Sequence, residues 1–186
     1  VPVGDDQRQH LEITRDIAER FNNRFGDTFV IPKHVIPPVG ARVMDLQNPE
    51  RKMSKSQTSI NGTINVLEPP DSVRKKIKRA VTDSGDEVIF DFENKPGVSN
   101  LLSILGAATG EPPNRIAESY KRYGDLKIAT ADAVVELLHP IQQRFAELQA
   151  DPAETMRLLE IGAEKAQQVA SETLRRAKRN CGLLEA

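Results

Sequence analysis

Leu11, Ile13, Ile17, Ala18, Phe21 and Phe25 recur at three- and four-residue intervals, with Arg8, Glu12, Arg15, Glu19 and Arg20 set mostly on the opposite face. That pattern predicts an amphipathic helix over residues 7–25, opened by the D-x-x-Q capping pair Asp6 and Gln9. Ahead of it, Val1-Pro2-Val3 is strand-like and runs straight into a Gly4-Asp5-Asp6 turn. Short runs predict strands at 28–31, 41–46, 63–66 and 87–92, the first two flanking a proline-rich stretch at 32–38. Pro69-Pro70-Asp71-Ser72 stops the third run and opens a helix through residue 80.

From Pro96 onward the pattern turns helical. A short apolar helix is predicted at 98–107, and a second at 112–120, opened by a proline pair after Gly110. A third covers 130–148, with Val134, Val135, Leu137, Leu138, Ile141 and Phe145 as its buried stripe and a kink one turn before Pro140. Asp151-Pro152-Ala153-Glu154 combines an N-cap, a proline at the first helical position and an acid in the first turn. The helix it opens is predicted to reach residue 180 and to stop at Cys181-Gly182. Its inner face, Leu159, Gly162, Ala163, Ala166, Val169, Ala170, Leu174 and Ala177, is rich in small residues that would let a neighbouring helix approach closely.

Composition narrows the class. The 186 residues carry a formal net charge of −1, so no global field draws the chain to nucleic acid or membrane and any polyanion site must be local. Cys181 is the single cysteine, which rules out an internal disulfide framework. No apolar run approaches the roughly 20 residues needed to span a bilayer, and the default location is cytoplasmic. The chain begins at Val1 without an initiator methionine, and its few strand candidates cannot enclose a buried parallel strand. We therefore expect a piece of a longer protein whose N-terminal part is missing.

The densest chemistry lies in Lys52-Met53-Ser54-Lys55-Ser56, a segment bounded by Pro49 and Gly62. Two lysines three apart can each meet a different oxygen of a polyphosphate, and small serines let backbone amides approach the same charge. The plain alternative is a solvated serine-rich loop, but this string should arise by chance on the order of once in ten thousand chains of this length. The Gly4 turn presents free amides at the start of a helix, a feature shared by anion sites and ordinary caps. Arg74, Lys75, Lys76, Lys78 and Arg79 crowd one helix and are candidates for contact with a phosphate backbone, as are Arg175, Arg176, Lys178 and Arg179 more weakly. His34 has no second histidine or cysteine at ligand spacing, so no metal site is expected.

Lys52-Met53-Ser54-Lys55-Ser56 resembles the second signature of class I aminoacyl-tRNA synthetases, and Gly4-Asp5-Asp6-Gln7-Arg8-Gln9-His10 resembles the G-x-D-Q-x-x-H stretch of their tryptophan and tyrosine branch. The run from Val1 to Asn22, the Val39-Gly40-Ala41-Arg42-Val43-Met44 approach and Lys95-Pro96-Gly97-Val98-Ser99-Asn100-Leu101-Leu102 are similar to bacterial tryptophanyl-tRNA synthetases in particular. The resemblance covers essentially the whole chain. It implies an α-rich α/β fold: the C-terminal remnant of a Rossmann-type nucleotide-binding domain over residues 1–66, followed by a mainly helical tRNA- and anticodon-binding domain over 67–186.

The resemblance further implies ATP-dependent activation of tryptophan to tryptophanyl-adenylate and transfer to tRNA(Trp), with Mg2+ accompanying the ATP and a homodimer in the complete enzyme. Carried over by position, Gly4, Asp5 and Asp6 would lie against the adenosine part of ATP and Val43 against the adenine region. Lys52, Met53, Ser54, Lys55 and Ser56 would hold the phosphates, with Lys52 and Lys55 catalytic. Val1, Val3 and Gln7 would line the tryptophan side. One departure matters: the family's first signature, His-x-Gly-His, is absent, since His10, His34 and His139 are isolated. The isolated chain is therefore expected to be inactive. The alternatives are a tyrosine-specific relative and a non-catalytic helical RNA-binding module.

Overall fold

The computed structural model describes residues 1–36, 42–54 and 60–183. Six α-helices order the described residues: α1 (Arg8–Phe25), α2 (Pro70–Lys78), α3 (Pro96–Thr109), α4 (Pro113–Ser119), α5 (Tyr123–Ala150) and α6 (Pro152–Asn180), with a 3-10 turn at Asp5–Gln7. The protein is α-rich. Two compact units divide the chain, one formed by Val1–Ile36 with Ala146–Ala186 and the other by Pro37–Phe145.

The ends of α6 follow the local chemistry closely. α6 begins where the Asp151 side chain accepts from the Glu154 amide, 3.0 Å, with Pro152 at the first position. It ends with Gly182 at φ 79°, where the Leu183 amide reaches back to the Lys178 carbonyl and the Gly182 amide to that of Arg179. These are the two bonds of a Schellman close, which satisfies carbonyls left over by the last turn. The capping pair expected at α1 does not form. The chain enters through the 3-10 turn, whose Gln7 amide bonds the Gly4 carbonyl at 3.0 Å, and no side chain caps either the turn or α1. α5 starts seven residues earlier than its apolar period suggests and runs as one element through Pro140.

In the unit Pro37–Phe145, α3 is the centre. Gly97 through Gly106 are all buried, as expected for a helix that is apolar almost all round. Around it pack Leu46, Val73, Ile77, Ile116, Leu126 and Val134. Gly97 is required by a close approach, because a Cβ there would run into the carbonyl oxygen of Val81. In the unit Val1–Ile36 with Ala146–Ala186, Phe21 stacks its ring near those of Phe25 and Phe29, each at 4.9 Å between centroids. Leu11 and Ala18 of α1 are buried there, but Ile13 and Ile17 are exposed.

The predicted strands are the main correction. Among the described residues no strand forms; the pairings present are two isolated bridges, Pro2 with Val35 and Met44 with Lys52. The physical reason is that side chains take the backbone groups a neighbouring strand would have taken. At 28–31, Asn22 accepts from the amides of Thr28 and Phe29 and donates to the Phe29 carbonyl, while Arg176 donates twice to the Thr28 carbonyl. At 63–66, Lys76 takes the Thr63 carbonyl and Gln142 that of Val66. At 87–92, the Ser99 hydroxyl accepts from the Asp91 amide.

Two predicted helix faces also need correction. Leu137, Ile141 and Phe145 of α5, and Leu159, Val169 and Leu174 of α6, are all more than a third exposed, and within α6 only Ala177 is buried. No Cβ contact awaits Gly162, so the close helix approach expected at that face is not present among the described residues.

Candidate active site

The expected site residues fall into the two compact units, and each group is built locally. In the first, the N-terminal segment pairs with residues 33–35: the Val1 nitrogen donates to the Lys33 carbonyl at 2.6 Å, the Val35 amide to Val1 at 2.8 Å and the Val3 amide to Val35 at 3.1 Å. This pairing delivers the chain to Gly4, the extended residue before the 3-10 turn formed by Asp5, Asp6 and Gln7. Arg8 donates through Nε and Nη2 to one Asp5 oxygen, at 3.1 and 3.0 Å, and its Nη1 lies 3.5 Å from His34 Nε2. Gln7 donates to Asp6. The structure thus groups Val1, Val3, Gly4, Asp5, Asp6 and Gln7, and adds Arg8 and His34, which sequence reasoning had left aside. An arginine three residues after an aspartate at a helix start was the available signal.

In the second unit, Val43, Lys52, Met53 and Ser54 come together as the root of the lysine segment; Lys55 and Ser56 lie outside the described residues. The Asp45 amide donates to the Arg51 carbonyl at 2.8 Å and the Met53 amide to the Val43 carbonyl at 2.9 Å, a short antiparallel pairing with Met44 opposite Lys52. Its tip is tightened by the buried Asp45 carboxylate, which accepts from the amides of Gln47 and Asn48 at 2.7 and 2.9 Å. Gly62 passes so close that a Cβ would meet that carboxylate. On the way out, the Thr63 hydroxyl donates to the Ser54 carbonyl at 3.2 Å.

The root rests on an apolar groove of about 200 Å³, bordered by Val43, Met53, Ile64, Ile104, Val134 and Leu138 among others. Two of the residues expected near the nucleotide, Val43 and Met53, therefore back onto the α3 and α5 surface. Beneath the exit lies a buried ion pair. Lys76 sits 2.7 Å from Glu68 and donates to the Thr63 carbonyl at 2.7 Å. Burial pushes the Glu68 carboxyl up, but bonds from Lys76, Ser72 and the Asn65 amide, with the Lys76 charge, hold it below its ordinary value.

This burial corrects the cationic cluster of α2. Lys76 lies on the stripe Val73, Lys76, Ile77, Ala80, all buried, so it is a structural cation and not a free contact for phosphate. Arg74 is paired with Asp132 at 3.1 Å. Arg74, Lys75, Lys78 and Arg79 remain exposed, and the first three, with Lys127 and Asp132, border a cleft of about 330 Å³. Desolvation lowers the Lys127 pKa, and its ammonium is held by the Ala80 carbonyl at 2.8 Å. In the second cluster Arg176 is likewise committed, to Thr28. Among the described residues, no group of three histidine, cysteine or acidic side chains could hold a metal ion, and no helix is long and apolar enough to cross a membrane.

A family model described as tRNA synthetases class I (W and Y) matches residues 1–145. A curated relative, Tryptophan–tRNA ligase 1 of Streptomyces avermitilis, is 52% identical over 186 residues, covering 100% of this chain and 56% of the relative. The solved tryptophanyl-tRNA synthetase of Mycoplasma pneumoniae superposes with a TM-score of 0.89 at 37% identity, over 98% of this chain and 55% of that one. That of Campylobacter jejuni, complexed with ADP and tryptophan, gives 0.63 at 31% identity over 98% and 56%. The chain thus spans about half the length of the curated relatives it matches. With the match running through both the Gly4 turn and the Lys52 segment, the chain belongs to the class I tRNA synthetases of the tryptophan and tyrosine family.

Proposed function

We propose that these residues serve a tryptophan–tRNA ligase, which joins tryptophan to ATP as tryptophanyl-adenylate, releases pyrophosphate and passes the aminoacyl group to tRNA(Trp). The observation that carries the reading is the short pairing of Val43 with Met53. It holds Lys52 at the root of a segment whose sequence is the family's second signature. In this reading residues 1–66 belong to the catalytic domain, and the helical residues 67–186 contact tRNA.

The chemistry asked of the lysines is electrostatic. As the bond from the α-phosphorus to the leaving pyrophosphate lengthens, negative charge gathers on the leaving group. Lys52 and Lys55, brought onto that charge, stabilise the stretched state more than the ground state. Neither needs to transfer a proton. Mg2+ arrives with the nucleotide as part of the substrate. Gly4, Asp5 and Asp6 take the adenosine end, Val43 the adenine, Met53, Ser54 and Ser56 the phosphates with the lysines, and Val1, Val3 and Gln7 the tryptophan side. The complete enzyme is a cytoplasmic homodimer in this reading.

A tyrosine-specific relative is the alternative within the family; the identity to tryptophan ligases supports the first reading. The test is Lys55→Ala in the full-length enzyme, followed by pre-steady-state adenylate formation. The rate should fall about 100-fold or more while ATP affinity changes little. Equal losses in both sink the assignment. The 186 residues alone, without His-x-Gly-His, should not catalyse tryptophan-dependent exchange of pyrophosphate into ATP.

A further inference from the structure

We propose that Asn100 of α3 is a positioning residue for the lysine segment, acting through the backbone of Met44; the proposal rests on the reading of that segment as the ATP-activating one. In the antiparallel pairing, the ladder bonds run from Asp45 to Arg51 and from Met53 to Val43. Met44 and Lys52 are therefore a non-hydrogen-bonded pair, in which each residue's own N–H and C=O point away from its partner. In a sheet, a further strand would meet those of Met44.

Here one carboxamide does so. Asn100 Oδ1 accepts from the Met44 amide at 2.9 Å, and Asn100 Nδ2 donates to the Met44 carbonyl at 2.9 Å. Asn100 is 2% exposed, and the helix carrying it is buried from Gly97 to Gly106. Among side chains of this size only asparagine offers an acceptor and a donor side by side. Aspartate keeps the acceptor and sets a second oxygen against the Met44 carbonyl. Glutamine would need room for another methylene in a packed helix.

The consequence concerns Lys52. Strand side chains alternate faces, so a slip of one residue in the Met44 pairing would turn Lys52 to the opposite side. By fixing both polar groups of Met44 to a buried helix, Asn100 fixes the register, and through it the face that Lys52 presents. A misplacement of the order of 1 Å in a group acting on the transition state costs about 100-fold in rate. Substrate binding need not suffer equally.

The experiment compares Asn100→Asp with Leu105→Ala, a destabilising control on the same helix, in the full-length enzyme. For Asn100→Asp we expect kcat for tryptophan-dependent pyrophosphate exchange to fall about 10- to 100-fold, with KM for ATP within about threefold. Transfer from preformed tryptophanyl-adenylate to tRNA should be unchanged. Hydrogen exchange at the Met44 and Met53 amides should quicken about tenfold or more, while the α3 amides keep their protection. Leu105→Ala should lower stability without this split. Wild-type kcat in Asn100→Asp, unchanged protection at Met53, or parallel losses in both variants overturn the proposal. Should Asn100→Asp fail to fold, Asn100→Ser is read by the same measurements. If the wild-type enzyme shows no tryptophan-dependent exchange, the functional reading has failed, and amide exchange alone decides whether Asn100 fixes the pairing.

Discussion

The ammonium of Lys76 lies 2.7 Å from the Glu68 carboxylate, with the two side chains 7% and 9% exposed. The same ammonium holds the Thr63 carbonyl, and the Thr63 hydroxyl holds that of Ser54. A short chain of polar contacts thus leads from a buried ion pair to the lysine segment. Breaking one partner of such a pair leaves an uncompensated buried charge, which costs about 3–5 kcal/mol. Lys76→Met should lower the unfolding free energy by about that much, as read from the urea midpoint. If the helical residues contact tRNA, as proposed, the variant's affinity for tRNA should be unchanged, because the ammonium is spent inside the unit.

That pair and a second, partly buried one, Asp83 with Lys95 at 3.2 Å, set a pH dependence. Glu68 is held below its ordinary value of 4.5 and Asp83 below 3.8. At Asp83, burial pushes the carboxyl up, but bonds from Tyr123, the Gly85 amide and Lys95 outweigh it. A depressed folded-state value means that the unfolded chain binds the proton more readily. The stabilisation is therefore present above the unfolded values and lost as pH falls through the folded ones. Unfolding free energy should hold from neutral pH to about 5 and decline below about 4. Tyr123→Phe removes the 2.7 Å bond from the hydroxyl to Asp83. It should lower stability at neutral pH and shrink the loss on acidification, a comparison made with urea midpoints across the pH series.

Two glycines in helices make opposite predictions. At Gly97 an added methyl would meet the backbone carbonyl of Val81, and Val81 is itself tied to Leu46. Gly97→Ala should cost about 1–3 kcal/mol, since neither neighbour can give way cheaply. Gly162 lies within α6 with nothing within 4 Å of its would-be Cβ. Gly162→Ala should stabilise by about 0.5–1 kcal/mol through helix propensity alone. Thermal unfolding of the two variants should shift in opposite directions.

What the sequence made legible, and what it hid, divides along physical lines. The ends of α6 were readable because capping is local: Asp151, Pro152 and Gly182 act where they stand. The lysine segment was readable because its residue types are unusual together. The strands misled because β-branched runs report extended backbone, not the identity of its partner. Here Asn22, Asn100, Lys76, Ser99 and Gln142 supply that partner from positions far along the chain or on another element. Burial of Lys76 was in principle visible, since it completes the spacing of Val73, Ile77 and Ala80, but five nearby cations read first as a charged face. Apolar stripes on α5 and α6 were correct as patterns. Exposure of Leu137, Ile141, Leu159 and Val169 shows that a stripe does not by itself name what covers it.

The same burial sharpens what remains of the cationic helix α2. Lys76 is paired inside, Arg74 is half exposed in its pair with Asp132, and Lys75 and Lys78 are exposed and border the cleft shared with Lys127. If residues 67–186 contact tRNA, each of these lysines should neutralise about one phosphate. Removing one should then reduce the salt slope of binding by about one unit. Filter binding of tRNA(Trp) to the Lys75→Ala, Lys78→Ala double variant, measured across a salt series, should show weaker affinity at low salt and a slope shallower by about two. Lys76→Met should leave that slope where it was. A double variant with the wild-type slope would remove α2 from the RNA-facing surface, and the cleft would then be a solvated consequence of packing α2 against α5.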